Sequence, residues 1–453
     1  MHATVYRVAT VLCALVAGVP LGTNLGLVLL LWLLLTGRLL ASRGAVIPAL
    51  RALELPPAVV RRSWAALSQG AWTADQLLAN WQGWVAQEGR WQPHAVGGYH
   101  PVAGDVTGFW RPHLQGCPTQ HYSAAAGQTL PAIPVGIVAL VGSAHGQRLG
   151  VPLALVRAPV GEPSPRAHDR ALVRAAAALL TVEDALVVDR AVGVALLQEE
   201  AVPAWAARVP KHFTARRATP PPYRGRGRPP TRGALVRPLA RRRQGKLLAA
   251  TPPDTVTCWE EAGRVLRAEQ WMDLVLPDAG PGAPRFQVVA VHDPRYRTPL
   301  LVVTPLALVP QAVRELYRDR WPVEQLPLTG KQLLGAARQF VSAPETCQRL
   351  PELALIAGAV LSYLAATQEA VPTGFWDRRP RRTPGRLRRL LADAPFPWNY
   401  PWPTHLRPKA AVTAHLPKGW FGQRRRQDTP AAGTETAPSA DASAQVAACV
   451  TGN

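Results

Sequence analysis

Tyr317, Arg320, Glu324 and Lys331 are spaced so that a phenol, a guanidinium, a carboxylate and an ammonium can share one wall of a site. Their offsets are 0, 3, 7 and 14. At about 100° per residue on a helix, these positions fall within an arc of about 60°. The phenol and the two cations can donate to phosphate oxygens, and the carboxylate is a hard-oxygen ligand for a divalent cation. Together they point to metal-dependent phosphoryl transfer. Three residues of the same stretch act on its backbone: Pro322 can start a helix, Pro327 is expected to kink one, and Gly330 lies just beyond.

The elements that must position these groups belong to a chain of 453 residues, long enough for several domains and at least one large core. A formal net charge of +22, carried almost wholly by arginine, favours a polyanionic partner, nucleic acid before a membrane surface. The five cysteines are scattered and form no C-x-x-C pair, which argues against a zinc site or disulfide framework and fits a reducing cytoplasm. Between Arg7 and Arg38 there is no charged residue, so membrane insertion must be weighed. Pro20, Gly22, Thr23 and Asn24 split that stretch into two short apolar runs, each nearer the length of a buried helix. The expectation is a buried helix against the core, with the chain in the cytoplasm and nucleoid.

Residues 54–91 read as helix, with Trp64, Leu67, Trp72, Leu77, Trp81 and Trp84 as a core stripe. Residues 100–110, 130–142 and 147–157 read as three successive strands, 168–182 as a helix, and ALVVD as a short buried strand ending at Asp189. A Pro-, Gly- and Arg-rich stretch follows. Strands at 286–293 and 299–308 then precede the segment carrying Glu324, and a long apolar helix at 350–367 closes the packed region. His292-Asp293 is a rival acidic position, but it precedes a proline and reads as a turn.

The quartet, embedded as LYRDRWPVEQLPLTGKQ, resembles the YREK signature of DDE transposases from bacterial insertion sequences, and it matches at every spacing. The resemblance spans about residues 95–345. It implies an α/β fold: an RNase H-like mixed sheet with flanking helices, interrupted by a β-rich insertion. It also supplies two further acids: Asp105 ending the first strand and Asp189 ending the fourth, to complete a triad with Glu324. By the same resemblance Asp105 bridges two Mg²⁺ ions (Mn²⁺ as a substitute), Asp189 and Glu324 each hold one, and Tyr317, Arg320 and Lys331 hold the DNA backbone near the scissile bond. Double-stranded DNA, both element ends and target, is the implied partner, bound by a homodimer. After Asp189 the chain reads Arg190-Ala191-Val192, where the family shows small and aromatic residues. An inactive DNA-binding derivative and a related RNase H-like nuclease therefore stand as alternatives.

The chain is thus divided into a helical N-terminal region (1–94), a first part of the core (95–209), a basic β-rich insertion (210–284), a second part of the core (285–370), a basic Pro/Trp-rich region (371–423) and a disordered tail (424–453). From Ala201 to Pro253 no Asp or Glu occurs, and the insertion is expected to bind phosphates, with Arg226, Arg228, Arg241, Arg242 and Arg243 among its contacts. Arg226-Gly227-Arg228-Pro229 resembles the core of an AT-hook. Trp259 or Trp271 is a candidate to stack on a flipped base, with a small β core built on these indoles as the alternative.

Overall fold

The computed structural model describes residues 2–406 except 160–163, 224, 226–229 and 281. The expectations for Arg226, Arg228 and the tail lie outside the described residues. The fold is mixed α/β, built on an open mixed sheet of thirteen strands.

Nine strands matter here: β1 (His100–Trp110), β2 (Gln128–Ala144), β3 (Gln147–Arg157), β4 (Asp184–Val188), β5 (Trp205–Arg208), β6 (Thr255–Glu261), β7 (Arg264–Val275), β8 (Phe286–His292) and β9 (Leu300–Thr304). The first five lie in the order β3-β2-β1-β4-β5. β1, β2 and β3 form an antiparallel meander, whereas β4 runs parallel to β1 and β5 parallel to β4. Beyond β5 the sheet continues antiparallel through β9, β8, β7 and β6, so strands of the basic insertion extend the same sheet.

Alternation along the central strands separates two faces. Val102, Leu186, Val188 and Ala207 pack toward helix α5 (Pro165–Leu179), which presents Leu172, Val173 and Ala176. Ala103 and Phe109 face the opposite layer, which contains α1 (His2–Leu15), α2 (Asn24–Leu35), α3 (Pro57–Gln69) and α4 (Ala74–Glu88). α6 (Pro310–Arg318) packs on a separate cluster with Val187, Ala206 and Val302. Later in the chain α7 (Trp321–Leu328), α8 (Pro344–Thr367) and α9 (Pro384–Ala392) join the layer under Ala103 and Phe109. The expected single helical stretch over 54–91 is two helices. The chain leaves α3 at Gly70 in an extended conformation, and the Thr73 side chain caps α4 by accepting from the Gln76 amide.

All twelve residues of α2 are buried. Gly26 permits this: a Cβ there would lie 2.6 Å from the Ala66 methyl of α3, closer than carbon atoms can approach. Among the described residues only α8 is long and apolar enough to cross a membrane, and 94% of its apolar window is buried within the fold.

Candidate active site

β1 and β4 lie side by side and parallel, with Gly104 opposite Val188 as the last paired position. Asp105 and Asp189 are the next residues on each strand, so register alone sets the two acids next to each other. This is the crevice at the carboxyl end of the parallel strands, where the strand order reverses and open α/β sheets bind ligands. Asp105 does not end its strand: β1 runs on to Trp110 because β2 still pairs with it on the other edge. Asp189 directly follows the last residue of β4.

The quartet does not lie on one kinked helix. α6 ends at Arg318, Asp319 and Arg320 form a break, and α7 carries Glu324. The break falls just before Pro322, which occupies the first turn of α7 and has no N–H to donate back to Arg318, so Pro322 starts a helix as expected. Asp319 is fully buried in the break, accepting from His94 Nδ1 at 2.9 Å with Arg148 at 3.3 Å. Pro327 lies inside α7, and the turn after it, Thr329–Leu333, widens to π geometry. That turn sits tightly on α8: a Cβ on Gly330 would meet the Ala354 carbonyl at 3.0 Å.

The broken path still brings the quartet together. Arg320 Nε donates to the Tyr317 hydroxyl at 3.1 Å, and its Nη1 pairs with Glu324. The Tyr317 hydroxyl donates to Asp189 at 3.2 Å, and Arg208, at the end of β5, lies 3.8 Å from the same carboxylate. Lys331 Nζ donates to Thr107 Oγ1 at 2.6 Å and sits 4.9 Å from the centre of the Phe109 ring. Asp105, Thr107 and Phe109 alternate along one face of β1, so a period of two marks the strand partners of Lys331 in the sequence.

Charge is concentrated here. Burial pushes the Asp105 carboxyl up to about 6, and the nearby Glu324 charge adds to this while Arg320 opposes it. Burial also raises the Tyr317 phenol to about 12 and lowers the Lys331 ammonium to about 8, the latter against the pull of Asp105. A cavity of about 270 Å³ beside Asp105 and Asp189 is also lined by His121, His168 and Asp169. Burial raises Asp169 to about 6 as well. Within the helix 168–182 that the sequence predicts, nothing singled out this acid.

Lys331 supplies a stability prediction. Its pKa in the fold lies below its ordinary value of 10.5, so the charged form is disfavoured by folding. That penalty is full at pH 7 and fades as pH rises from about 8 toward 10.5. Lys331→Met should therefore be more stable than the parent at pH 7, by about 1 kcal/mol once the lost Thr107 bond is counted. The advantage should shrink as pH rises above 8 and reverse by about pH 10.5, where the lost Thr107 bond is what remains, as read by thermal melts across that range.

Asp293, the rival acid, is not part of this site. It is buried in an ion-pair network with Arg295 and Arg314, and it accepts from the Arg295 amide at 3.0 Å, as a turn residue does. Trp271 is fully buried and its Nε1 donates to the Thr251 and Pro252 carbonyls, so this indole is core and cannot stack on a base. Trp259 is half-buried against the layer under α6.

In the insertion, Arg241, Arg242 and Arg243 form one strand of a two-stranded ribbon with Lys246–Leu248, separate from the main sheet. Arg242 and Arg243 are exposed, whereas Arg241 donates to the His212 carbonyl at 2.8 Å. Part of the basic run holds the fold together instead. Arg217 is paired with Asp254, which lies just past the acid-free stretch, and Arg216 and Arg237 donate to backbone carbonyls.

Asp105, Asp189 and Glu324 form a hard-oxygen donor set suited to divalent cations. The mutual repulsion felt at Asp105 is a negative charge that such a cation would relieve. Arg320 now holds Glu324, and among the described residues no three His, Cys, Asp or Glu side chains are gathered closely enough to hold an ion. No family model matches the chain, and no curated protein matches it.

Proposed function

We propose that the chain is a DNA transposase that cuts at the ends of its own element and joins them to target DNA. The observation that carries this reading is the convergence of Asp105, Asp189 and the Tyr317-Arg320-Glu324-Lys331 quartet on one crevice, from three separate parts of the sequence. The order β3-β2-β1-β4-β5, antiparallel for three strands and parallel for the next two, supports an RNase H-like reading of the sheet.

Two divalent cations held by the three carboxylates, Mg²⁺ or Mn²⁺, would activate the attacking oxygen and stabilise the leaving one. Asp105, Asp189 and Glu324 are the residues that would hold the metal. Arg320 must leave Glu324 before that carboxylate can act as a ligand, and the freed guanidinium is then available to a DNA phosphate. Tyr317 holds Asp189 in place from behind. Lys331, fixed between Thr107 and Phe109, presents an ammonium to the backbone on the other side of Asp105.

In the first step a water oxygen bonds to phosphorus as the bond to the element's 3′ oxygen breaks, leaving a free 3′-OH. In the second that hydroxyl attacks a target phosphate and displaces a target 3′ oxygen. Both are in-line displacements in which positioning and charge stabilisation supply the catalysis. Joining two ends calls for a dimer on DNA, and the site of action is the nucleoid.

End-labelled DNA spanning the coding gene and its flanks, incubated with the protein and Mg²⁺, tests the reading. Cuts at a pair of inverted repeats, followed by joined products, are expected. A second reading, an inactive DNA-binding derivative, is favoured by Arg190-Ala191-Val192 after Asp189. Tight duplex binding with no cut in Mg²⁺ or Mn²⁺ would select it. The insertion makes its own prediction: Arg242→Ala with Arg243→Ala should flatten the slope of log affinity against log salt by about two units. A salt titration of duplex binding measures this, and parallel slopes would place the DNA platform elsewhere.

A further inference from the structure

Phe375 is 96% exposed and Trp376 67% exposed, and the two rings pack edge to face on each other with centroids 5.2 Å apart. Single exposed rings are common on surfaces, but two rings packed on each other form a contiguous apolar patch, the kind of feature that marks an interaction site. These two are held in place. Asp377 accepts from the amide and hydroxyl of Thr373 and is paired with Arg386 at 2.6 Å, and Arg386 also donates to the Val371 carbonyl. The Trp376 indole lies over Gly374, where a Cβ would sit 2.4 Å from the ring, so only glycine permits this pose.

The segment Phe375–Arg389 carries seven arginines and one acid. Arg378, Arg379, Arg381 and Arg389 are exposed and have no acidic partner among the described residues. The segment continues into α9, which buries Leu387 and Leu391 and packs against the π-helical turn bearing Lys331. The aromatic pair and its arginines therefore lie on a stretch of chain anchored directly to the proposed active site.

We propose that this segment docks duplex DNA, with its arginines on the phosphates and the Phe375–Trp376 pair wedged into the minor groove between base steps. Exposed apolar wedges flanked by arginine suit this: they unstack a step and bend the duplex, while guanidinium groups hold the backbone. A lipid surface fits less well. Membrane-bound helices commit a continuous apolar face, and the apolar face of α9 is already buried in the fold. The choice of DNA as the polyanion rests on the function proposed above. The contact itself needs neither metal nor a cognate end.

The test uses full-length protein in EDTA and a short duplex of arbitrary sequence labelled at both ends for energy transfer. Arg378→Gln, Arg379→Gln and Arg381→Gln together should flatten the salt slope by about two to three units. Phe375→Ala with Trp376→Ala should keep the slope, lose about tenfold in affinity and abolish the bend, and the Leu pair, which keeps apolar bulk, should restore the bend. Wild-type slope and bend in both the arginine and alanine variants would overturn the proposal. So would an alanine variant that fails only on phosphatidylserine vesicles. Because cleavage is not measured, failure to cut any DNA end would count against the proposed enzyme while leaving this result standing.

Discussion

Asp105→Ala, Asp189→Ala and Glu324→Ala are each expected to lower single-turnover cleavage of a cognate end by at least about a thousandfold, or about 4 kcal/mol of barrier. Duplex affinity should change little, because the phosphate contacts come from other side chains. Glu324→Ala should even bind slightly tighter, since Arg320 loses its internal partner. The comparison that decides is cleavage against binding for each variant on the same DNA. Cleavage within about tenfold of the parent would remove that acid from the triad, because tenfold is only about 1.4 kcal/mol.

Asp105→Asn should stabilise the protein at neutral pH by about 2–3 kcal/mol. The Asp105 carboxyl titrates near 6 in the fold, against an ordinary value of 3.8, so folding favours its protonated form. Above about pH 6 the parent bears the full cost of a buried charge, and below 3.8 it bears none. The stability gain of the variant should therefore be complete at pH 7 and disappear as pH falls from about 6 to 4. Denaturant melts across this range measure it. A group kept at the expense of stability is what an active site requires and a structural acid does not. An unchanged midpoint at pH 7 would show that Asp105 is solvated or already paired.

What the sequence made legible was local. Strands β1 and β3 fall on the predicted residues because alternation and glycine turns define them within a dozen positions. Asp189 was identifiable as a strand-end acid because β4 is a short aliphatic run with a clear stop. The quartet was identifiable from its spacing, although not for the reason that spacing suggested. Four residues on one helical face was the local inference, but the helix breaks at Asp319. Pro322 marks that break in the sequence, whereas His94, the partner of the buried Asp319, lies 225 residues away, beyond the reach of any periodicity.

Strand β5 was not foreseen, since four residues between prolines carry no pattern of their own and become a strand only by pairing with β4 and β9. The basic insertion misled in the same way. Arg217 lies within the acid-free run expected to bind phosphates, yet the fold brings Asp254 against it. The indole of Trp271 looks available until β7 is enclosed by its neighbours.

Mn²⁺ binding, followed by electron paramagnetic resonance with a cut-site duplex present, tests most directly whether these carboxylates form a metal centre for phosphoryl transfer. Two ions per chain in the parent are predicted, with loss of binding in Asp105→Ala and retention in Asp293→Ala, whose carboxylate lies in the separate arginine network. Equal Mn²⁺ uptake by the parent and Asp105→Ala would contradict the account.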